Sequence, residues 1–221
     1  MATATSNSIQ VILIGIAGPS GCGKSTYANH LSNYLHSPLN PIELDHFFVR
    51  GVPVDHPILG RVQNDEEPET LNIDGLHTLL RQIKTTPERS TRYHRSTNDV
   101  SQRNRKSICI VVEGFLLFAL SDQITNLFDI RIFLESSQPQ CRLRRYRRDA
   151  RIPPTLSDEQ IRLPTTYQNW FDHLVWNTYL KRRDLQRSKA EKIFHSDEYQ
   201  HHHYTKLDQY IDKRLDEIRR R

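Results

Sequence analysis

The 221-residue sequence predicts an α/β fold, a mostly parallel β-sheet flanked by helices, and three observations predict it. Short apolar runs alternate with amphipathic stretches, the pattern of strands and helices taking turns along a chain. The run IQVILIGIA (9–17) is continuously apolar and rich in β-branched residues, as a strand covered on both faces must be. The glycine-rich stretch GPSGCGKST (18–26) follows directly and leads into KSTYANHLSNYL, where Tyr27, Leu31, Tyr34 and Leu35 recur at helical spacing.

The remaining elements follow in order. PIEL (41–44) reads as a second strand ending at Asp45, and NIDGLHTLLRQI (72–83) as a helix. SICIVVE (107–113) and DIRIFLE (129–135) read as further strands, and KIF (192–194) as a last edge strand. Helices are expected over 138–150, 165–186 and 203–220. Two stretches, 46–70 and 85–105, are rich in Pro, Asp, Ser, Thr and Arg and are expected as long functional loops. The length suits one domain over 1–221, with a flexible N-terminus at 1–8.

Hydrophobic residues make up 36% and charged residues 26%, a globular balance. The longest apolar run, Ile108 to Leu120, falls short of the ~20 residues a bilayer helix needs and contains Glu113, so no membrane span is expected. The first ten residues carry no Lys or Arg, and with no secretory or transit signal the expected compartment is the cytosol, with nuclear access open. Cys22, Cys109 and Cys141 lie far apart and outside any metal spacing, as reduced thiols would. Of the histidines, lone His46, His56, His94 and His173 and the tract at 201–203 lack ligand spacing.

Gly18-x4-Gly23-Lys24-Ser25 matches the P-loop pattern in full, between the required strand and helix. Its glycines let backbone N–H groups turn in on phosphates, the helix adds its positive end, Lys24 supplies a cation, and the Ser25 hydroxyl can ligate Mg2+. Such a loop serves kinases, GTPases, motor ATPases and binding proteins alike.

Ligands of open parallel sheets lie beyond the carboxyl ends of the strands, and acids closing apolar strands are candidates for chemistry. Asp45 precedes Phe47 and Phe48; it suits a base for an attacking hydroxyl, or a local turn cap. Glu113 interrupts CIVVEGFLLF, and an ionised carboxylate there needs a cation or hydrogen bonds, which points to a magnesium-linked role.

CRLRRYRRDAR (141–151) holds six Arg in eleven residues. Leu143, Tyr146 and Ala150 form one stripe at helical spacing; Arg144, Arg148 and Arg151 form another. With the prolines that follow, this is the pattern of a hinged, Arg-rich lid over approximately 144–165, a solvated basic face or a nucleic-acid patch. Only Tyr146 interleaves as an aromatic, which weighs against nucleic acid.

Together, GPSGCGKST, LDHFF, EEPETLNID, VVEGFLLF, RLRRYRRDAR and WFDHLVWNTYLKRR resemble the motifs of the uridine kinase-like P-loop kinases. Within them EGFLLF and FDHLVWNTYLKRR look like the nicotinamide riboside kinase branch. The resemblance spans about Val11 to Arg183 and implies a P-loop kinase fold that phosphorylates the ribose 5′-hydroxyl of a nucleoside with ATP and Mg2+. It implies a nucleotide site at Gly18, Ser20, Gly21, Cys22, Gly23, Lys24, Ser25 and Thr26, closed by Arg148 and Arg151. Lys24 would grip phosphates, Asp45 would be the base, and Ser25 and Glu113 would serve the metal. The acceptor would rest on Asp45, Phe48, Asp172 and Glu66, the last standing beside Asp65 where the family has Asp. His46 and Val49 occupy positions where the family often has Asp and Lys.

Overall fold

The computed structural model describes residues 9–86, 107–198 and 204–220. The readings made for residues 1–8, for most of 85–105 and for the histidine tract at 201–203 lie outside the described residues.

Strands β1 (Gln10–Ala17), β2 (Ile42–Glu43), β5 (Ser107–Gly114), β6 (Ile130–Glu135) and β7 (Lys192–His195) form one parallel sheet in the order β2-β5-β1-β6-β7. β1 is central and buried from Val11 to Ala17, so its side chains must be apolar on both faces. Ile12, Ile14 and Ile16 point into a layer with Ala28 and Leu31 of α1 (Lys24–Tyr34) and Leu207, Ile211 and Leu215 of the C-terminal helix (Thr205–Arg219). Val11, Leu13 and Ala17 point into the other layer, with Leu76 and Leu80 of α2 (Ile73–Thr85) and with Phe118, Phe128 and Phe133. This two-sided burial is what a doubly covered parallel sheet requires.

After β5 come the short helix α3 (Asp122–Thr125), β6 and α4 (Gln138–Asp149). Helix α5 (Thr165–Trp170) passes through a π-helical turn, Phe171–Trp176, into α6 (Asn177–Lys189). The C-terminal helix is α7. Among the described residues no helix is long and apolar enough to cross a membrane.

Three expectations need correction. The second strand is only Ile42–Glu43, because Leu44 turns into the core while Asp45 and His46 stay exposed, and Leu44–Phe47 coil into a 3-10 turn. The stretch 46–70 is no irregular loop: β3 (Val52–His56) and β4 (Gly60–Asn64) form an antiparallel hairpin. The helix expected over 165–186 is divided by the π turn, whose wider winding shifts every later side chain around the axis.

Candidate active site

A cavity of about 600 Å3 opens at the carboxyl ends of β1 and β5, where ligands of open parallel sheets bind. Ser20, Gly21, Gly23, Lys24, Ser25 and Thr26 form one wall. Gly21 and Gly23 hold φ values of +86° and +93°, a region costly to side-chain-bearing residues. At Gly21 a Cβ would meet the Cys141 carbonyl oxygen at 2.2 Å, whereas at Gly23, which caps α1, it would meet nothing within 4 Å. The loop is therefore pressed against α4 at one point and open towards the cavity at another. Gly18 and Cys22 support the loop without lining the cavity, and the Cys22 side chain is fully buried.

Lys24 is 7% exposed and its Nζ donates to the Pro19 carbonyl at 2.9 Å. The Ser25 hydroxyl donates to Glu113 Oε1 at 2.7 Å. Glu113, at the end of β5 beside Glu43 of β2 in register, is 5% exposed. Burial pushes its carboxyl above the ordinary carboxylate range, the Lys24 ammonium and the Ser25 hydroxyl pull it part of the way back, and Asp45 and Glu43 add a further push upward. A carboxylate and a hydroxyl, both hard oxygens, fit Mg2+, which keeps waters and phosphate oxygens as its other ligands. No cluster of three or more His, Cys, Asp or Glu able to hold a metal occurs among the described residues.

Asp45 reaches the same cavity from the 3-10 turn, next to Phe48, Leu71 and Phe115. Phe48 is 45% exposed, an apolar ring left uncovered at the mouth. Gln186 of α6 is fully buried and fixes the loop after β5: its Nε2 donates to the Phe115 carbonyl at 3.0 Å.

Helix α4 supplies the cations. Arg144, Arg145 and Arg148 line the cavity, so two of the three arginines of the expected row, Arg144 and Arg148, face inward, joined by Arg145. Arg144 is tethered to Asp197 at 3.3 Å, and Arg148, paired with its neighbour Asp149 at 3.1 Å, keeps a side chain 60% exposed. Arg145 donates to Glu66 Oε1 at 2.6 Å and lies over the Trp170 ring, 5.0 Å from its centroid. Burial opposes the charge on Arg145, but the Glu66 carboxylate overrides this and holds its pKa above the ordinary value.

Two expected site residues stand elsewhere. Arg151 lies just past the end of α4, exposed and outside the cavity lining, with φ +53° as the chain leaves the helix. Asp172 also lies outside the lining; it accepts from Arg142 Nη1 at 2.5 Å and from Gln138 Nε2 at 2.8 Å. Arg145 and Phe115 were not singled out from the sequence. Arg145 stands three residues before Arg148, a spacing that also shares a helix face, and Phe115 sits within the EGFLLF motif.

The sequence matches the family model "Phosphoribulokinase / Uridine kinase family" over residues 13–152. It is 27% identical over 148 residues to the uridine kinase of Lactobacillus helveticus, an alignment covering 62% of this chain and 67% of that one. It is also 27% identical over 188 residues to nicotinamide riboside kinase 1 of Homo sapiens, covering 84% of each chain. A solved structure from Silicibacter sp. TM1040, of a kinase assigned to a fructose transport system, superposes with a TM-score of 0.50 at 17% identity, covering 86% of this chain and 93% of that one. That likeness is one of fold.

Proposed function

The chain belongs to the phosphoribulokinase / uridine kinase family, and from that premise we propose that it transfers the γ-phosphoryl group of ATP to the ribose 5′-hydroxyl of a nucleoside, with nicotinamide riboside as the acceptor. The observation that carries the reading is the meeting in one cavity of a phosphate-binding loop, the Asp45 carboxylate and three arginine guanidinium groups.

In this reading the P-loop amides, Lys24 and Arg148 hold the donor phosphates and neutralise charge as it shifts during transfer. Asp45 accepts the proton of the attacking hydroxyl, which raises the oxygen's nucleophilicity as the bond to phosphorus forms. Ser25 and Glu113 would hold Mg2+, which when bound supplies charge neutralisation on the phosphate oxygens. Phe48 and Phe115 flank the heterocycle, and Glu66, fixed by Arg145, faces the ribose hydroxyls. The chain from Arg144 to Thr165 acts as a lid that excludes water from the transfer.

Nicotinamide riboside is favoured by the EGFLLF and FDHLVWNTYLKRR motifs and by an alignment that spans 84% of both chains. Uridine or cytidine is the second reading, favoured by the recurrence of uridine kinases among the relatives. The deciding assay incubates purified protein with ATP, Mg2+ and nicotinamide riboside, uridine and cytidine in competition, with the products identified by mass. The proposal expects a 5′-monophosphate, chiefly of nicotinamide riboside; consumption of none of the three would end it.

A further inference from the structure

We propose that Asp172 is a positioning residue for the phosphoryl transfer, acting through Arg142 on the helix that carries the cavity arginines; the inference rests on the kinase reading above. Asp172 belongs to the π turn Phe171–Trp176, six residues in a winding that proteins use sparingly and often near functional sites. In this turn Phe171, Leu174 and Val175 are buried in the core, which anchors the turn, while the Asp172 carboxylate projects onto α4. One oxygen takes a hydrogen bond from Arg142 Nη1 at 2.5 Å and the other from Gln138 Nε2 at 2.8 Å. Both partners lie on α4, one turn apart, so a single carboxylate fixes the helix at two points.

On another side α4 presses on the phosphate loop, where the carbonyl of Cys141, the residue before Arg142, blocks any side chain at position 21. The helix is thus held between the loop and the π turn. Arg144, Arg145 and Arg148 lie on its next turns and line the cavity, so a small rotation of α4 about its axis would carry them away from a bound phosphate.

The pair is also poorly built for stability alone. The Nε of Arg142 is buried and has no hydrogen-bond partner among the described residues, and half-buried ion pairs return little of their desolvation cost. Its clearest service is to geometry.

The test compares Asp172→Asn, Asp172→Glu, Arg142→Gln and the double variant Asp172→Asn/Arg142→Gln with wild type. A loss of kcat on the order of ten-fold or more is expected in each neutral single variant, given that small misplacements can cost about a hundred-fold, with acceptor KM unchanged within about two-fold. The double variant is expected to be no worse than the weaker single one, because both act through one contact, and Asp172→Glu to recover part of the loss. A raised acceptor KM in Asp172→Asn but not in Arg142→Gln would make Asp172 an acceptor ligand instead, and unchanged kcat in both would dismiss the clamp. Amide hydrogen exchange in α4 supplies a readout without turnover: it should quicken equally in both variants. If wild type phosphorylates no acceptor, the kinase reading fails by itself, and unaltered exchange in α4 would then sink the clamp as well.

Discussion

Glu113 and Asp45 are two carboxylates of the same cavity in opposite surroundings, one 5% exposed, the other exposed. For Glu113 burial is the leading influence and raises the pKa. The folded protein therefore binds a proton there that the unfolded chain has released, between the ordinary carboxylate pKa of about 4.3 and the raised one. In the nucleotide-free protein, stability should fall as pH rises through that interval, and Glu113→Gln should remove this part of the dependence. Urea unfolding of both forms across pH about 4 to 7 measures it, and identical pH dependences would show that Glu113 ionises as if exposed. Among the described residues the Asp45 carboxylate has no hydrogen bond or ion pair to lose, and its repulsion of Glu113 would only be relieved, so Asp45→Asn should leave ATP binding within about two-fold. Turnover should drop by roughly 10^2 to 10^4, the range for a general base. A variant that turns over normally would remove Asp45 from the proton transfer.

The junction of loop, helix α1 and helix α4 is set by close approach, which makes two neighbouring glycines respond differently to the same substitution. Gly21→Ala would drive a Cβ to 2.2 Å from the Cys141 carbonyl oxygen, so one of the two backbones must move, and the left-handed φ adds about 1–2 kcal/mol. Gly23→Ala carries only the conformational cost, because its Cβ would point into open cavity. Unfolding should therefore show Gly21→Ala less stable than Gly23→Ala, while both lose ATP affinity, the first through a displaced loop and the second through occupied phosphate space. Equal stabilities would mean that α4 does not bear on the loop.

Across the whole molecule, the site is assembled from the ends of β1 and β5, the turn after β2, the hairpin's exit and α4, segments far apart in sequence. A ligand that bridges them should stabilise the folded state by mass action, about 2.7 kcal/mol at a hundred-fold excess over Kd. ATP with Mg2+ should accordingly raise the midpoint of thermal unfolding, and Lys24→Ala should abolish most of that rise, measured against the variant's own ligand-free midpoint. A full shift in Lys24→Ala would place the nucleotide elsewhere.

The parallel sheet, the phosphate loop and the helix behind it were legible in the sequence because they depend on local signals: continuous apolar runs, glycines at fixed offsets, a lysine and a serine at the helix start. Glu113 was legible for the same reason, as a charge out of place in an apolar strand. The hairpin Val52–Asn64 was obscured by Pro53 and by polar residues on its open face, although Val52 and Val54 alternate as a strand requires. The partners of Arg145 and Asp172 could not be read along the chain: one lies 79 residues away in Glu66, the other 30 residues away in Arg142. Periodicity tells which face of a helix is buried, but only packing of the completed sheet and helices decides what that face meets. The π turn, whose Asp172 meets α4 and not the expected acceptor wall, belongs to that second class.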